Sequence, residues 1–230
     1  MPARPWLGLP KAVLHGHGAA LSLWMGSLLT DRLTSLAMLS PHESLVVSQQ
    51  SGLLAAVTGN AALYPGFVDV YDVSKDCRHP EAKSIASFGV LGHESGMSPD
   101  GRTFYTASPG TPTITAIDLS NPSLPKILGV IPFYSHGLSI SSDGNRAYLA
   151  GVGLSGAACA YAVSCDLPDL PQDRGLIILD ISNPALPALV STTPVPGSGA
   201  GHVYVDGNTA WVSTYEAGLI GVDVSNPAAP

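Results

Sequence analysis

Charged residues are scarce in this chain, and their scarcity excludes several kinds of partner. Asp, Glu, Lys and Arg make up only 12% of the 230 residues, and ten basic residues leave a formal net charge of −7. A chain with so few Lys and Arg has no basic stripe that could attract a phosphate backbone or an anionic lipid surface. We therefore expect no nucleic acid among its partners and no electrostatic binding to membranes.

Long apolar runs are scarce as well. The run GAALSLWMGSLL, at residues 18–29, is too short to span a bilayer, so no transmembrane segment is predicted. Its length does suit the core of a signal peptide, and Arg4 and Lys11 precede it, although no clear small-x-small cleavage site stands out. Residues 1–30 are accordingly treated as an irregular leader or signal-like segment, and a secreted or cell-surface location is the expectation.

Cysteine is rare too, with three residues in the whole chain. Cys159 and Cys165 lie close together in CAYAVSC and would close a small disulfide loop in an oxidising compartment, whereas they would remain structural thiols in a reducing one. Cys77 has no obvious partner. The sequence is compatible with both states of the Cys159–Cys165 pair.

Glycine and proline, by contrast, are abundant at 25 and 20 residues, which favours short strands joined by tight turns. Four segments, beginning at residues 41, 92, 135 and 201, share one pattern. Each has a histidine, a short alternating stretch, a glycine-containing turn and a second apolar stretch. The turns at Asp100-Gly101, Asp143-Gly144 and Asp206-Gly207 are typical of β-hairpins, so each segment is predicted to be one.

Each hairpin is followed by a further apolar strand that ends in aspartate. The sequences are FVDVYD, TITAID, GLIILD and GLIGVD, and their closing aspartates are Asp72, Asp118, Asp180 and Asp223. A proline-containing turn comes next, most regularly as Ser-Asn-Pro, and a fourth strand is predicted beyond it. We interpret the closing aspartates as structural residues, whose carboxylates accept hydrogen bonds from the backbone of the turn.

A unit of four short strands that recurs about every 50 residues is the pattern of a β-propeller blade. The run GLIILDISNPALPALV resembles the LVIVD repeat of bacterial and archaeal propeller proteins, and the resemblance extends from about residue 33 to residue 230. It implies an all-β fold in which residues 31–230 form about four four-stranded antiparallel blades, with an insertion at residues 152–174. The blades would form either a closed ring, completed by a strand at residues 33–37, or a fragment of a larger propeller.

The histidines that open the four units are the candidate metal ligands. His42, His93, His136 and His202 are assigned to one position in the repeat, so a propeller would gather them near the mouth of its central channel. Imidazoles that converge in this way can bind Cu, Fe or Zn. Alternatively, each imidazole donates a hydrogen bond to a backbone carbonyl of the neighbouring blade.

Glutamate follows two of these histidines, as Glu43 and Glu94. A zinc-binding His-Glu helix is excluded at His93, because a hairpin turn follows within a few residues and Met97 stands where the second histidine would be. Since successive strand residues point to opposite faces, the two glutamates are expected to face away from their neighbouring histidines.

Two functional hypotheses follow. The leading one is a non-enzymatic propeller scaffold that binds a protein, a glycan or a small ligand. No catalytic residue is assigned, because the chain contains neither a nucleophile elbow nor a phosphate-binding loop. The alternative is a metal-dependent enzyme, such as an oxidoreductase, that uses the four histidines.

Overall fold

The computed structural model describes residues 42–58, 67–87, 92–153, 174–197 and 199–230. In these ranges the chain forms fifteen strands arranged in four antiparallel sheets, which confirms the predicted all-β fold. The predicted leader at residues 1–30, the strand at residues 33–37 and most of the insertion lie outside the described residues, and so do Cys159 and Cys165. Within the described ranges, no helix is long and apolar enough to cross a bilayer.

The strands follow each other in sequence order within each sheet. The first sheet contains β1 (His42–Ser48), β2 (Leu53–Thr58), β3 (Val68–Asp72) and β4 (Glu81–Ser87). The second contains β5 (Glu94–Met97), β6 (Thr103–Ser108), β7 (Thr113–Asp118) and β8 (Lys126–Ile131). The third contains β9 (Ser135–Ile140), β10 (Arg146–Val152), β11 (Arg174–Asp180) and β12 (Ala188–Thr193). The fourth has three described strands, β13 (Ala200–Asp206), β14 (Thr209–Thr214) and β15 (Gly218–Asp223).

The turn between β5 and β6 shows how the sequence determines a hairpin. The N–H of Gly101 donates to the carbonyl of Ser98 at 2.8 Å, and Gly101 has a φ of 70°, a conformation that glycine adopts without steric cost. The carboxylate of Asp100 accepts hydrogen bonds from Ser98 Oγ at 2.6 Å and from the N–H of Arg102 at 3.0 Å. The Asp-Gly pair therefore supplies both the backbone conformation and the side-chain acceptor of the turn.

Adjacent sheets pack face to face over three apolar clusters. Between the first and second sheets the cluster includes Val57, Val70, Phe104 and Ile117. Between the second and third it includes Tyr105, Ile114, Leu149 and Ile177. Between the third and fourth it includes Tyr148, Ile178, Val203 and Val212. Neighbouring residues on a middle strand, such as Tyr148 and Leu149, thus face different sheets and are both buried. Burial on both faces explains why these strands are continuous apolar runs.

The fourth sheet is the exception, because no sheet among the described residues covers one of its faces, which we call the open face. Tyr204, Trp211 and Leu219 are 69%, 44% and 67% exposed. The same position in the third sheet is held by Tyr148. Trp211 lies two residues after Thr209, the partner of the closing aspartate Asp223. Tyr148 likewise lies two residues after Arg146, the partner of Asp180. The two aromatic residues are therefore equivalent, but only Tyr148 is covered by a following sheet among the described residues.

The first strands of the four sheets lie side by side. β5 contacts both β1 and β9, and β9 contacts β13. Glycine permits a close approach at Gly96 of β5, where a Cβ atom would lie 2.5 Å from Cδ1 of Leu138 on β9. Because these inner strands run next to each other, the residues at their N-terminal ends form one shared surface.

Candidate metal centre

A cluster of ionisable side chains occupies the N-terminal ends of the inner strands, and every sheet contributes to it. The members are Glu43 of the first sheet, His93 and Glu94 of the second, His136 of the third and His202 of the fourth. We refer to these five residues as the inner-strand cluster.

Two imidazoles face each other at the centre of the cluster. Nε2 of His93 and Nε2 of His136 are 2.8 Å apart, and the ring planes meet at 73° with their centroids 4.2 Å apart. One ligand atom from each of His93, Glu94 and His136 lies within 4.8 Å of the other two. All three residues are partly buried. The centre therefore presents two nitrogen donors and one carboxylate oxygen at separations that suit a single ion.

A second carboxylate contacts His93 from the first sheet. Oε1 of Glu43 lies 2.5 Å from Nδ1 of His93, and the two side chains are 24% and 19% exposed. A carboxylate can only accept here, so Nδ1 of His93 is the donor. Nδ1–H is thus occupied by Glu43, while Nε2 is directed at His136.

The outer part of the cluster is formed by Glu94 and His202. Nε2 of His202 lies 3.2 Å from Oε1 of Glu94, and the His202 side chain is 56% exposed. The rings of His202 and His136 have centroids 6.3 Å apart and an angle of 65° between their planes. His202 therefore lies at the rim of the cluster, between the Glu94 carboxylate and solvent.

The cluster shifts the pKa values of its members in different directions. Burial, followed by the neighbouring His93, lowers the pKa of His136 to about 4, so this imidazole is neutral at pH 7. Burial acts to raise the pKa of Glu94, but the hydrogen bond from His202 and the charges of the surrounding histidines outweigh it, and the net shift is downward. The hydrogen bond to Glu94 raises the pKa of His202.

His42, the fourth predicted histidine, has a different partner. Its Nε2 lies 2.7 Å from Oδ2 of Asp69, whose side chain is fully buried, and Tyr71 donates to the same carboxylate at 3.4 Å. The structure thus brings His93, His136 and His202 together and places His42 against Asp69 in its own sheet.

The strand register explains this difference and corrects the assignment of all four histidines to one position. In each sheet the closing aspartate pairs with a residue of the second strand, and positions can be counted along that strand from there. The residues of the inner strands that pair with the same position on this count are Ser44, Glu94, Gly137 and His202, so these four are equivalent. Irregularities in pairing before Ser44, Gly137 and His202 show β-bulges, whose extra residues are Glu43, His136 and Gly201. The chain bends at the matching residue of the second sheet, His93. Glu43 is therefore the true equivalent of His93 and His136.

The expected orientation of Glu94 is also wrong. Strict alternation would point it away from His93, yet the two side chains share the central group of donors. Alternation applies only within a regular strand, and β5 begins at Glu94, after the bend at His93. Bends and bulges of this kind redirect side chains, and they recur next to functional sites.

The closing aspartates lie elsewhere, at the opposite ends of their strands. Each accepts a hydrogen bond from the N–H of the serine two residues later, at 2.8–2.9 Å, in the pairs Asp72–Ser74, Asp118–Ser120, Asp180–Ser182 and Asp223–Ser225. The serine bonds lower the pKa values of Asp72, Asp180 and Asp223. These carboxylates bind their own turns, Asp72 and Asp180 also pair with Lys83 at 3.5 Å and Arg146 at 3.2 Å, and none of them takes part in the inner-strand cluster.

Comparison with solved structures identifies the class of protein. The chain matches hydrazine synthase of Kuenenia stuttgartiensis with a TM-score of 0.57 and 16% identity, over 80% of this chain and 46% of that one. It matches the β-propeller domain of Myceliophteria thermophila Cps50 (Swd1) with a TM-score of 0.55 and 12% identity, over 80% and 53%. A functionally unknown protein of Desulfotomaculum acetoxidans gives a TM-score of 0.56 and 17% identity, over 80% and 56%. The fold is that of a β-propeller, and the chain spans about half the length of these structures.

The family comparison is more specific. The model of the LVIVD repeat matches residues 171–193 and 197–230, so this part of the chain carries LVIVD repeats, as the resemblance indicated. No curated protein matches the sequence.

Proposed function

We propose that this propeller binds a first-row transition-metal ion through His93, His136 and Glu94. The observation that supports the proposal is the pair of facing Nε2 atoms, 2.8 Å apart, with a carboxylate beside them. The metal-dependent function that the histidines suggested is therefore the one we favour, with two of those histidines as ligands and Glu94 as the third.

The hydrogen bonds around the pair favour a cation between the two nitrogens. Nδ1 of His93 donates to Glu43, which leaves a lone pair on Nε2. If both rings are neutral and no ion is present, the Nε2–H of His136 donates to that lone pair, and its buried Nδ1 then makes no hydrogen bond of normal geometry. With an ion on both Nε2 atoms, the His136 proton would instead lie on Nδ1, near the Gly201 backbone.

The separation and the chemistry of the donors agree with this assignment. Two nitrogen ligands, each about 2.0–2.1 Å from one ion, lie about 2.9 Å apart at an angle of 90° and about 3.3 Å apart at a tetrahedral angle, and the observed 2.8 Å is near the first value. Two imidazoles and one carboxylate form the donor set of catalytic zinc sites and of non-haem iron(II) sites. Three protein ligands leave coordination positions open, and the exposed side at His202 is where a small ligand would reach the ion.

Metal analysis tests the proposal. Wild-type protein and the His93→Ala/His136→Ala double variant are loaded with Zn²⁺, or with Fe²⁺ in the absence of oxygen, dialysed and analysed for bound metal. We expect about one ion per chain in the wild type and none in the double variant. His79→Ala is the matched control, because His79 is exposed in the turn after β3 and contacts Asp76. Equal metal content in the wild type and the double variant would contradict the proposal.

A further inference from the structure

We infer that Glu43 is a positioning residue, which holds His93 as the Nδ1–H tautomer and so directs the Nε2 lone pair at His136. Its consequence for metal binding rests on the proposed function. The tautomer itself is a property of the metal-free protein and can be measured without any ion.

The contact between the two side chains carries the inference. Oε1 of Glu43 lies 2.5 Å from Nδ1 of His93, and both groups are more than three-quarters buried. The hydrogen bond made by one ring nitrogen determines where the single proton of a neutral imidazole resides. With Nδ1–H donated to a carboxylate, Nε2 is unprotonated and available as a ligand. The same carboxylate–histidine pair orients ligand imidazoles in metal sites generally.

The surrounding strands fix the direction of Glu43. As the extra residue of the bulge between His42 and Ser44, it is directed away from the regular face of β1. The residues on both sides are anchored: His42 by Asp69 at 2.7 Å, and Ser44 by the hydroxyl of Ser95 on β5 at 2.5 Å. The Ser44–Ser95 hydrogen bond joins β1 directly to the strand that follows His93. Glu43 is thus held against His93 by rigid elements of two sheets.

Nuclear magnetic resonance of the metal-free protein tests the inference. Long-range ¹H–¹⁵N correlation identifies which ring nitrogen of His93 carries the proton. We expect the Nδ1–H tautomer in the wild type and in Glu43→Gln, since the amide oxygen of glutamine can still accept. In Glu43→Leu no acceptor remains, so the Nε2–H form should gain population. Glu216→Gln, which removes one exposed charge outside the cluster, is the matched control and should leave the His93 signals unchanged.

Zinc affinity then tests the consequence for metal binding. Loss of a group that orients a metal ligand typically weakens binding 10–100-fold, which is roughly the change expected for Glu43→Leu, with Glu43→Gln falling between it and the wild type. If Glu43→Leu does not fold, Glu43→Ala replaces it. An Nε2–H tautomer of His93 in the wild type, or an unchanged tautomer in Glu43→Leu or in the Glu43→Ala variant that replaces it, overturns the inference even if the protein binds zinc. The expected tautomers in a protein that binds no metal would uphold the inference and contradict the proposed function.

Discussion

Histidines with the same sequence context have different surroundings in the first sheet and in the second and third sheets. His42 is hydrogen bonded to Asp69, a fully buried carboxylate of its own sheet, whereas His93 and His136 face each other across two sheets. His42 precedes the bulge residue Glu43, while His136 is itself a bulge residue. A repeated residue therefore has a repeated role only where the local backbone repeats as well.

The partner of His42 is also specific to the first sheet. Asp69 lies three residues before the closing aspartate Asp72, and the corresponding residues of the other sheets are Thr115, Ile177 and Ile220. None of these can accept a hydrogen bond as a carboxylate does. The first sheet thus uses its histidine as a hydrogen-bond partner of a buried carboxylate, and the second and third sheets use theirs in the inner-strand cluster.

Replacing His42 should give the largest change in stability and so tests this comparison most directly. We expect His42→Ala to lower the free energy of unfolding by about 4 kcal/mol, because it removes a close partner of a buried carboxylate. Urea denaturation measures this change, and about one ion per chain should still bind at saturating Zn²⁺, because none of the three proposed ligands is removed. His136→Ala is the counterpart, with metal binding lost and the stability of the metal-free protein almost unchanged. If both variants lose metal and stability to the same extent, the two regions do not differ in function.

The sequence predicts the fold well because a propeller repeats its backbone. The Asp-Gly turns, the apolar runs and the closing aspartates each depend on neighbours within a few residues, and so hairpins and strands could be assigned from spacing alone. Asp69 could also have been identified, as a charged residue in a strand that is otherwise buried and apolar.

The candidate site is less predictable, because bulges determine it. A bulge adds one residue and reverses which side chains face the neighbouring sheet, and nothing in HESL or SHGL marks where it falls. Matching the units by residue type therefore predicts that the four histidines are equivalent, whereas the structural equivalent of His93 in the first sheet is Glu43. The participation of Glu94 could not be predicted either, since it depends on the bend at His93.

A second pair of equivalent residues extends the comparison to the apolar interfaces. We expect Tyr148→Ala to lower the free energy of unfolding by about 3 kcal/mol, since this aromatic ring is buried between the third and fourth sheets. Trp211→Ala, at the same position of the open fourth sheet, should cost less than about 1 kcal/mol, because the side chain is 44% exposed. Thermal and urea denaturation of both variants check the difference. A large loss for Trp211→Ala would show that something covers the open face in solution.

The closing aspartates give the smallest effect and represent the opposite case, a repeated residue whose surroundings do repeat. Asp180 accepts from both the N–H and the Oγ of Ser182, at 2.9 and 2.7 Å, and these bonds hold the pKa of Asp180 below its usual value of 3.8. We expect Asp180→Ala to cost about 1 kcal/mol at pH 7. Because the folded pKa is the lower one, the stabilisation is complete above the usual pKa and is lost as the pH falls through the folded value. The difference between wild type and variant in urea denaturation should therefore shrink below about pH 4. A difference that stays constant down to pH 2 would show that the Asp180 carboxylate does not stabilise its turn through its charge.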